Sequence, residues 1–156
     1  MRPGDRLVCS FVEPVQTGQT FAKWLLHVTI VPWFRSDASS DDIANGLARA
    51  YAAIEPFEAV AGEETRFGPR KNRPATLLEL PSSFTELEQR TRNYLHKKRA
   101  LLIDETTKKR RQYRPHVTHQ NDAALQAGDT FRCDRVYMVQ QHGGHKEIVS
   151  EIELIR

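Results

Sequence analysis

Two stretches govern the reading of this chain: Lys23-Trp24-Leu25-Leu26-His27-Val28-Thr29-Ile30-Val31 and Tyr113-Arg114-Pro115-His116-Val117-Thr118-His119-Gln120. Both read as strands, over 23 to 31 and 115 to 120, and both carry the tripeptide His-Val-Thr. With six His, ten Val and eleven Thr in 156 residues, only about 0.03 copies are expected by chance, so the duplication is a signal. Side chains two apart on a strand share a face. His27 and Thr29 are therefore expected on one side, with Trp24, Leu26, Val28 and Ile30 on the other, and His116 and Thr118 together opposite Val117.

Outward from these strands, residues 6 to 14 alternate like a further strand, and Gln16-Thr17-Gly18-Gln19 reads as a turn. Ser39 or Ser40 caps a helix marked by Ile43, Leu47, Tyr51 and Ile54, ending near Pro56. Residues 57 to 66 and 74 to 80 form a strand pair across Gly68 and Pro69. A capping box of Ser83 and Glu86 then opens a second helix, with a buried stripe of Phe84, Leu87, Thr91, Tyr94 and Leu95 and a basic end, Lys97 to Arg99. Residues 103 to 114 read as a basic loop, 122 to 127 as a short helix, and 130 to 141 with 145 to 155 as a hairpin across Gly143-Gly144. Residues 23 to 80 and 115 to 155 thus each read strand, helix, strand, strand. The expected fold is α+β, one domain over 1 to 156, with two pseudo-symmetric β-α-β-β lobes, antiparallel sheets facing across a central cleft, and helices outside.

At 39% hydrophobic and 28% charged, with eight Gly and eight Pro in no period, the chain suits one compact domain and neither a collagen-like nor a disordered class. Cys9 and Cys133 cannot make a disulfide framework; both read as reduced core thiols, which suggests a cytoplasmic setting. The longest apolar stretch, Trp24 to Phe34, is too short to span a bilayer, and no signal-peptide core is visible at the start. Net charge is +3, gathered at Arg66, Arg70, Lys71 and Arg73, at Lys97 to Arg99, and at Lys108, Lys109, Arg110, Arg111 and Arg114. Three such clusters favour an anionic partner, with the last loop tracking a nucleic-acid backbone.

Two imidazoles and two hydroxyls set in pairs suit displacement at phosphorus. One neutral His accepts a proton from the attacking oxygen while a protonated one donates to the leaving oxygen, and the Thr hydroxyls donate to the non-bridging oxygens. No metal, cofactor or protein nucleophile is called for. His116 with His119, and His142 with His145, lie three apart, a spacing that points strand side chains to opposite faces and so disfavours a metal site. His96, His142 and His145 read as structural, and nothing near Cys133 suggests an activated thiolate.

The motifs His27-Val28-Thr29-Ile30 and His116-Val117-Thr118-His119, with the aromatic and Pro of Tyr113-Arg114-Pro115 before the second, resemble the two-histidine phosphoesterase superfamily, in particular its bacterial 2′-5′ RNA ligase and RNA 2′,3′-cyclic phosphodiesterase branch. The resemblance implies a bilobal fold and hydrolysis of a 2′,3′-cyclic phosphate to a 2′-phosphate, on RNA or a nucleotide, in some members with 2′-5′ joining; separately, a monomer is expected. It implies His27 and His116 as catalytic, with His116 as base and His27 as acid, and Thr29 and Thr118 on the phosphate. Two departures stand out: His119 replaces an apolar residue, and Asn121 stands where the ligase branch often has Arg. Strand parity offers Lys23 and Arg114 as alternative phosphate cations, while Trp33, Phe34 and Tyr113 are candidates for stacking on a base. The rival readings are a non-catalytic RNA-binding module, and an enzyme for small nucleotides such as an ADP-ribose cyclic phosphate or a 2′-5′ oligonucleotide.

Overall fold

The structure is a computed structural model and describes residues 1–68, 70–103, 112–120 and 123–155. The basic run Lys108 to Arg111 and Asn121 lie outside the described residues. In chain order the elements are β1 (Arg6–Phe11), β2 (Thr20–Phe21), β3 (His27–Arg35), α1 (Ser40–Ala50), β4 (Phe57–Phe67), β5 (Arg73–Glu79), α2 (Ser82–Lys97), β6 (Leu101–Leu102), β7 (His116–Thr118), β8 (Thr130–Cys133), β9 (Arg135–Gln141) and β10 (Lys146–Glu153). Among the described residues no helix is long and apolar enough to cross a membrane.

Local chemistry accounts for most boundaries. Ser39 caps α1 by accepting from the Asp42 N–H at 3.1 Å, and Asp41 and Asp42 complement the positive helix end. Tyr51 closes that helix, so Ile54 belongs to the turn beyond it. The capping box expected from Ser83 does not form. Pro81 occupies the N-cap position and the helix starts at Ser82, so Ser83 already lies in the first turn, where it cannot cap. At the far end Arg99 turns left-handed, with φ of 58°, and the Ala100 N–H reaches back to the Leu95 carbonyl, closing α2 without a Gly. The helix expected over 122 to 127 is absent among the described residues; Gln120 and Ala123 instead exchange a pair of backbone hydrogen bonds. The strand read as 130 to 141 is two strands, interrupted at Asp134, whose halves pair with different partners.

The strands form one antiparallel sheet in the order β2-β10-β9-β1-β3-β7-β5-β4-β8, with β6 pairing to β3. The α+β class stands, yet neither half is a contiguous stretch of sequence. The hairpin β4-β5 follows the first motif in sequence but pairs with the second motif strand, β7; the C-terminal hairpin β9-β10 lies beside β1, which in turn pairs with β3. This exchange makes β3 and β7 direct neighbours. They are joined by one residue pair, Val28 with Val117, at the seam between the halves.

Both helices cover the same face of the sheet. Ile43 and Leu47 of α1 and Phe84, Leu87 and Leu95 of α2 share one core with Val8, Val28, Ile30, Val117 and Met138, all at most 2% exposed. Burial of this kind is worth about 1.5–3 kcal/mol per large aliphatic or aromatic side chain. Inside the core the Thr91 hydroxyl donates to the Leu87 carbonyl at 2.6 Å, so the Tyr51 hydroxyl, 2.5 Å from Thr91 Oγ1, must donate to it. Thr91→Val would strand a buried phenol at a cost of about 1–3 kcal/mol, whereas adding Tyr51→Phe should recover most of that loss. Urea denaturation of the two variants tests this; a double variant no more stable than Thr91→Val contradicts it.

Candidate active site

The opposite face of the sheet is left open by the helices, and it carries both motifs. His27 is the first residue of β3 and His116 the first of β7. Because the strands run antiparallel through Val28 and Val117, the register sets His27 toward Thr118 and Thr29 toward His116. Four polar side chains thus share one face at the seam, backed by the fully buried Val28 and Val117.

The imidazoles are held alike. His27 Nδ1 lies 2.7 Å from the Leu25 carbonyl, and His116 Nδ1 lies 2.7 Å from the Arg114 carbonyl, in each case two residues earlier. A carbonyl only accepts, so Nδ1 carries the proton in both rings and Nε2 is left to face a ligand. Each ring also rests on an aromatic side chain: Trp24 stacks on His27 with centroids 4.2 Å apart, and Phe67 stacks on His116 at 4.0 Å. A cation sits over each of those aromatics at 5.4 Å, Lys146 over Trp24 and Arg114 over Phe67. Burial pushes both imidazoles below their ordinary pKa of 6.5. The charge of His116 depresses His27 further, and that of Arg114 depresses His116, against the opposing effect of each carbonyl bond.

The structure sorts the other sequence candidates. Arg114 is exposed and lies over Phe67, the ring that stacks on His116. Strand alternation puts Lys23 on the His27 face, but β3 begins only at His27 and Lys23 lies in an exposed bend, so that parity does not apply. For the same reason Trp24, expected on the far side from His27, folds back onto its ring. Trp33 is half-buried on the motif face, its ring 6.2 Å from Trp24, and stays available for stacking. Phe34 is not: it is fully buried in the helix-side core. Nor is Tyr113, whose ring packs against that core and whose hydroxyl donates to the Thr29 carbonyl at 2.8 Å. Tyr113 instead ties the main chain of the first motif to the lead-in of the second.

Sequence reasoning missed Trp24, Phe67 and Lys146. The signal for Trp24 was its place three residues before His27; Phe67 and Lys146 reach the site only through tertiary folding. His119 points away from the pair, with Nε2 3.3 Å from Thr76 Oγ1 and Nδ1 3.7 Å from Glu64. His142 bonds to Glu147 at 2.8 Å and its ring stacks on His145 at 5.2 Å. Cys9 and Cys133 are buried free thiols, the latter pushed up to about 11 by burial. Among the described residues no three metal-binding side chains gather. A cavity of about 590 Å³ has Phe11 and Tyr137 in its lining and none of the motif residues; Phe11 is 6.1 Å from the His27 ring.

A family model described as the 2′-5′ RNA ligase superfamily matches residues 5–145. Among solved structures the chain resembles Escherichia coli LigT complexed with 3′-AMP, at 13% identity and a TM-score of 0.60 over 99% of this chain and 100% of that one. It also resembles TT0787 of Thermus thermophilus, at 15% identity and a TM-score of 0.63 over 96% and 97% of the two chains. A third structure, titled only as a phosphoesterase, matches at 12% identity and a TM-score of 0.56 over 99% and 100%. At such identities the likeness is one of fold. No functionally curated protein matches the chain.

Proposed function

The chain belongs to the 2′-5′ RNA ligase superfamily, and from that membership and the paired imidazoles we propose that it is a metal-independent phosphodiesterase opening 2′,3′-cyclic phosphates on RNA ends or nucleotides. The observation that carries the reading is the matched setting of His27 and His116, each with Nδ1 bound to a carbonyl 2.7 Å away. Both rings keep Nε2 for proton transfer. In the reaction one imidazole removes a proton from water as its oxygen attacks phosphorus. The other protonates the 3′ oxygen as the P–O3′ bond breaks, leaving a 2′-phosphate and a 3′-hydroxyl. Thr29 and Thr118 donate to the non-bridging oxygens, and Arg114 offsets their charge.

The surroundings of the two rings differ, and the difference favours His27 as the acid. Trp24, Phe21 and Trp33 cluster beside His27, with Phe21 5.2 Å and Trp33 6.2 Å from Trp24. A nucleobase stacked on that cluster, a contact worth about 1–3 kcal/mol, brings its own ribose and the departing 3′ oxygen to His27, and leaves His116 to activate water. LigT has been crystallised with 3′-AMP, NADP+ and ATP, which supports a nucleotide ligand for this fold.

The test is incubation of the protein in EDTA with RNA ending in a 2′,3′-cyclic phosphate and with nucleoside 2′,3′-cyclic monophosphates, followed by phosphorus NMR. Ring opening to the 2′-phosphate at an undiminished rate is expected. No turnover of any cyclic phosphate, or turnover only on adding a divalent metal, overturns the proposal.

A further inference from the structure

The two histidine stacks are counterparts, but only one of their cations is accounted for by the reacting phosphate. Arg114 lies 5.4 Å over Phe67, which stacks on His116 at 4.0 Å. Lys146 has the matching place on the other side, over Trp24, which itself stacks on His27. It reaches this place because β10 pairs with the short β2 at the sheet edge, Lys146 opposite Phe21. Among the described residues its ammonium forms no ion pair, and its one hydrogen bond is a long one, 3.5 Å to the Ala22 carbonyl. The neighbouring carboxylate, Glu147, is engaged by His142 at 2.8 Å. An ammonium with spare donors and no carboxylate partner, held at the rim of an aromatic cluster, is arranged to meet an anion.

We infer that Lys146 forms a second phosphate subsite, taking the 5′-side phosphate of the nucleotide whose base rests on the cluster of Trp24. The inference rests on the reading of the site as a cyclic-phosphate enzyme and specifies its substrate: a nucleotide with phosphate on both sides of its ribose. That second phosphate is either a 5′-monoester or the diester linking the terminal nucleotide to an RNA strand. Both present the same oxygens to Lys146. A nucleoside cyclic phosphate without a 5′-phosphate leaves the lysine unused.

Equilibrium binding tests this without requiring turnover. A nucleoside 2′-phosphate, the matching 2′,5′-bisphosphate and a dinucleotide ending in a 2′-phosphate are titrated into the full chain, by calorimetry and by tryptophan fluorescence. The protein should bind the bisphosphate about tenfold more tightly than the monophosphate. Lys146→Ala should abolish that preference and Lys146→Arg should keep it. A dinucleotide preference of the same size, also lost in Lys146→Ala, assigns the subsite to strand phosphates as well; a preference for the bisphosphate alone confines it to the 5′-monoester. Equal affinities for all three ligands, a preference that survives Lys146→Ala, or no binding of any of them overturns the inference. If cyclic phosphates are opened while the preference is missing, the subsite alone fails; if the preference is present without turnover, the proposed reaction fails and the subsite stands.

Discussion

Replacing either His27 or His116 by Ala should lower kcat/KM for a 2′,3′-cyclic phosphate by about 100-fold or more, because each ring is assigned a separate proton transfer. His27→Asn and His116→Asn sharpen the result. An Asn amide can still donate to the Leu25 or Arg114 carbonyl that now accepts from Nδ1, yet it transfers no proton at neutral pH. Asn variants as inactive as the Ala variants point to proton transfer; Asn variants that retain most of the rate would reduce the rings to structural props. The pH profile gives a second reading. Burial lowers both imidazoles below 6.5, so the base becomes neutral, and the acid loses its proton, at lower pH than ordinary imidazoles. Both limbs of the bell in kcat/KM move the same way, and the optimum should lie on the acid side of 6.5. Folding stability carries the same sign: below pH 6.5 the unfolded chain takes up protons that the folded chain resists, so stability falls as the solution is acidified. An optimum above 7 contradicts this assignment.

Thr29→Val and Thr118→Val, which keep the shape and β-propensity of the residue while deleting the hydroxyl, should each lower kcat by about 100-fold. Their hydroxyls are assigned to the non-bridging oxygens, whose charge must be held as the bonds to phosphorus change. The loss therefore belongs mainly in kcat and only weakly in KM. Single-turnover and steady-state kinetics on the same cyclic nucleotide separate the two. A rise in KM with kcat unchanged would show that the hydroxyls bind substrate and transition state equally, and would remove them from catalysis.

Much of the fold was legible because local alternation and caps dictate it. Ser39 sits where its hydroxyl caps α1, and the paired Gly143 and Gly144 lie between β9 and β10 as a hairpin turn requires. The misreadings share one cause. Alternation over 23 to 31 assumes that the strand begins at Lys23, and a strand starting at His27 frees Trp24 to turn back. Alternation through Asp134 hides the point where the chain passes from β4's neighbour to β1's. Tyr113 and Phe34 are stacking candidates only by their nearness to the motifs in sequence, and nearness along the chain says nothing about which face of the sheet a ring meets.

By itself the sequence determined that two strands each present a His and a Thr on one face, since a period of two is a property of the backbone and needs no partner. Tertiary structure decided the rest: that the hairpins exchange places so that β3 and β7 become neighbours, that Trp24 and Phe67 support the two rings, and that Tyr113 and Lys146 join them. These contacts depend on strand order and register. They are fixed by how whole faces are buried against one another, information that no single stretch of the chain contains.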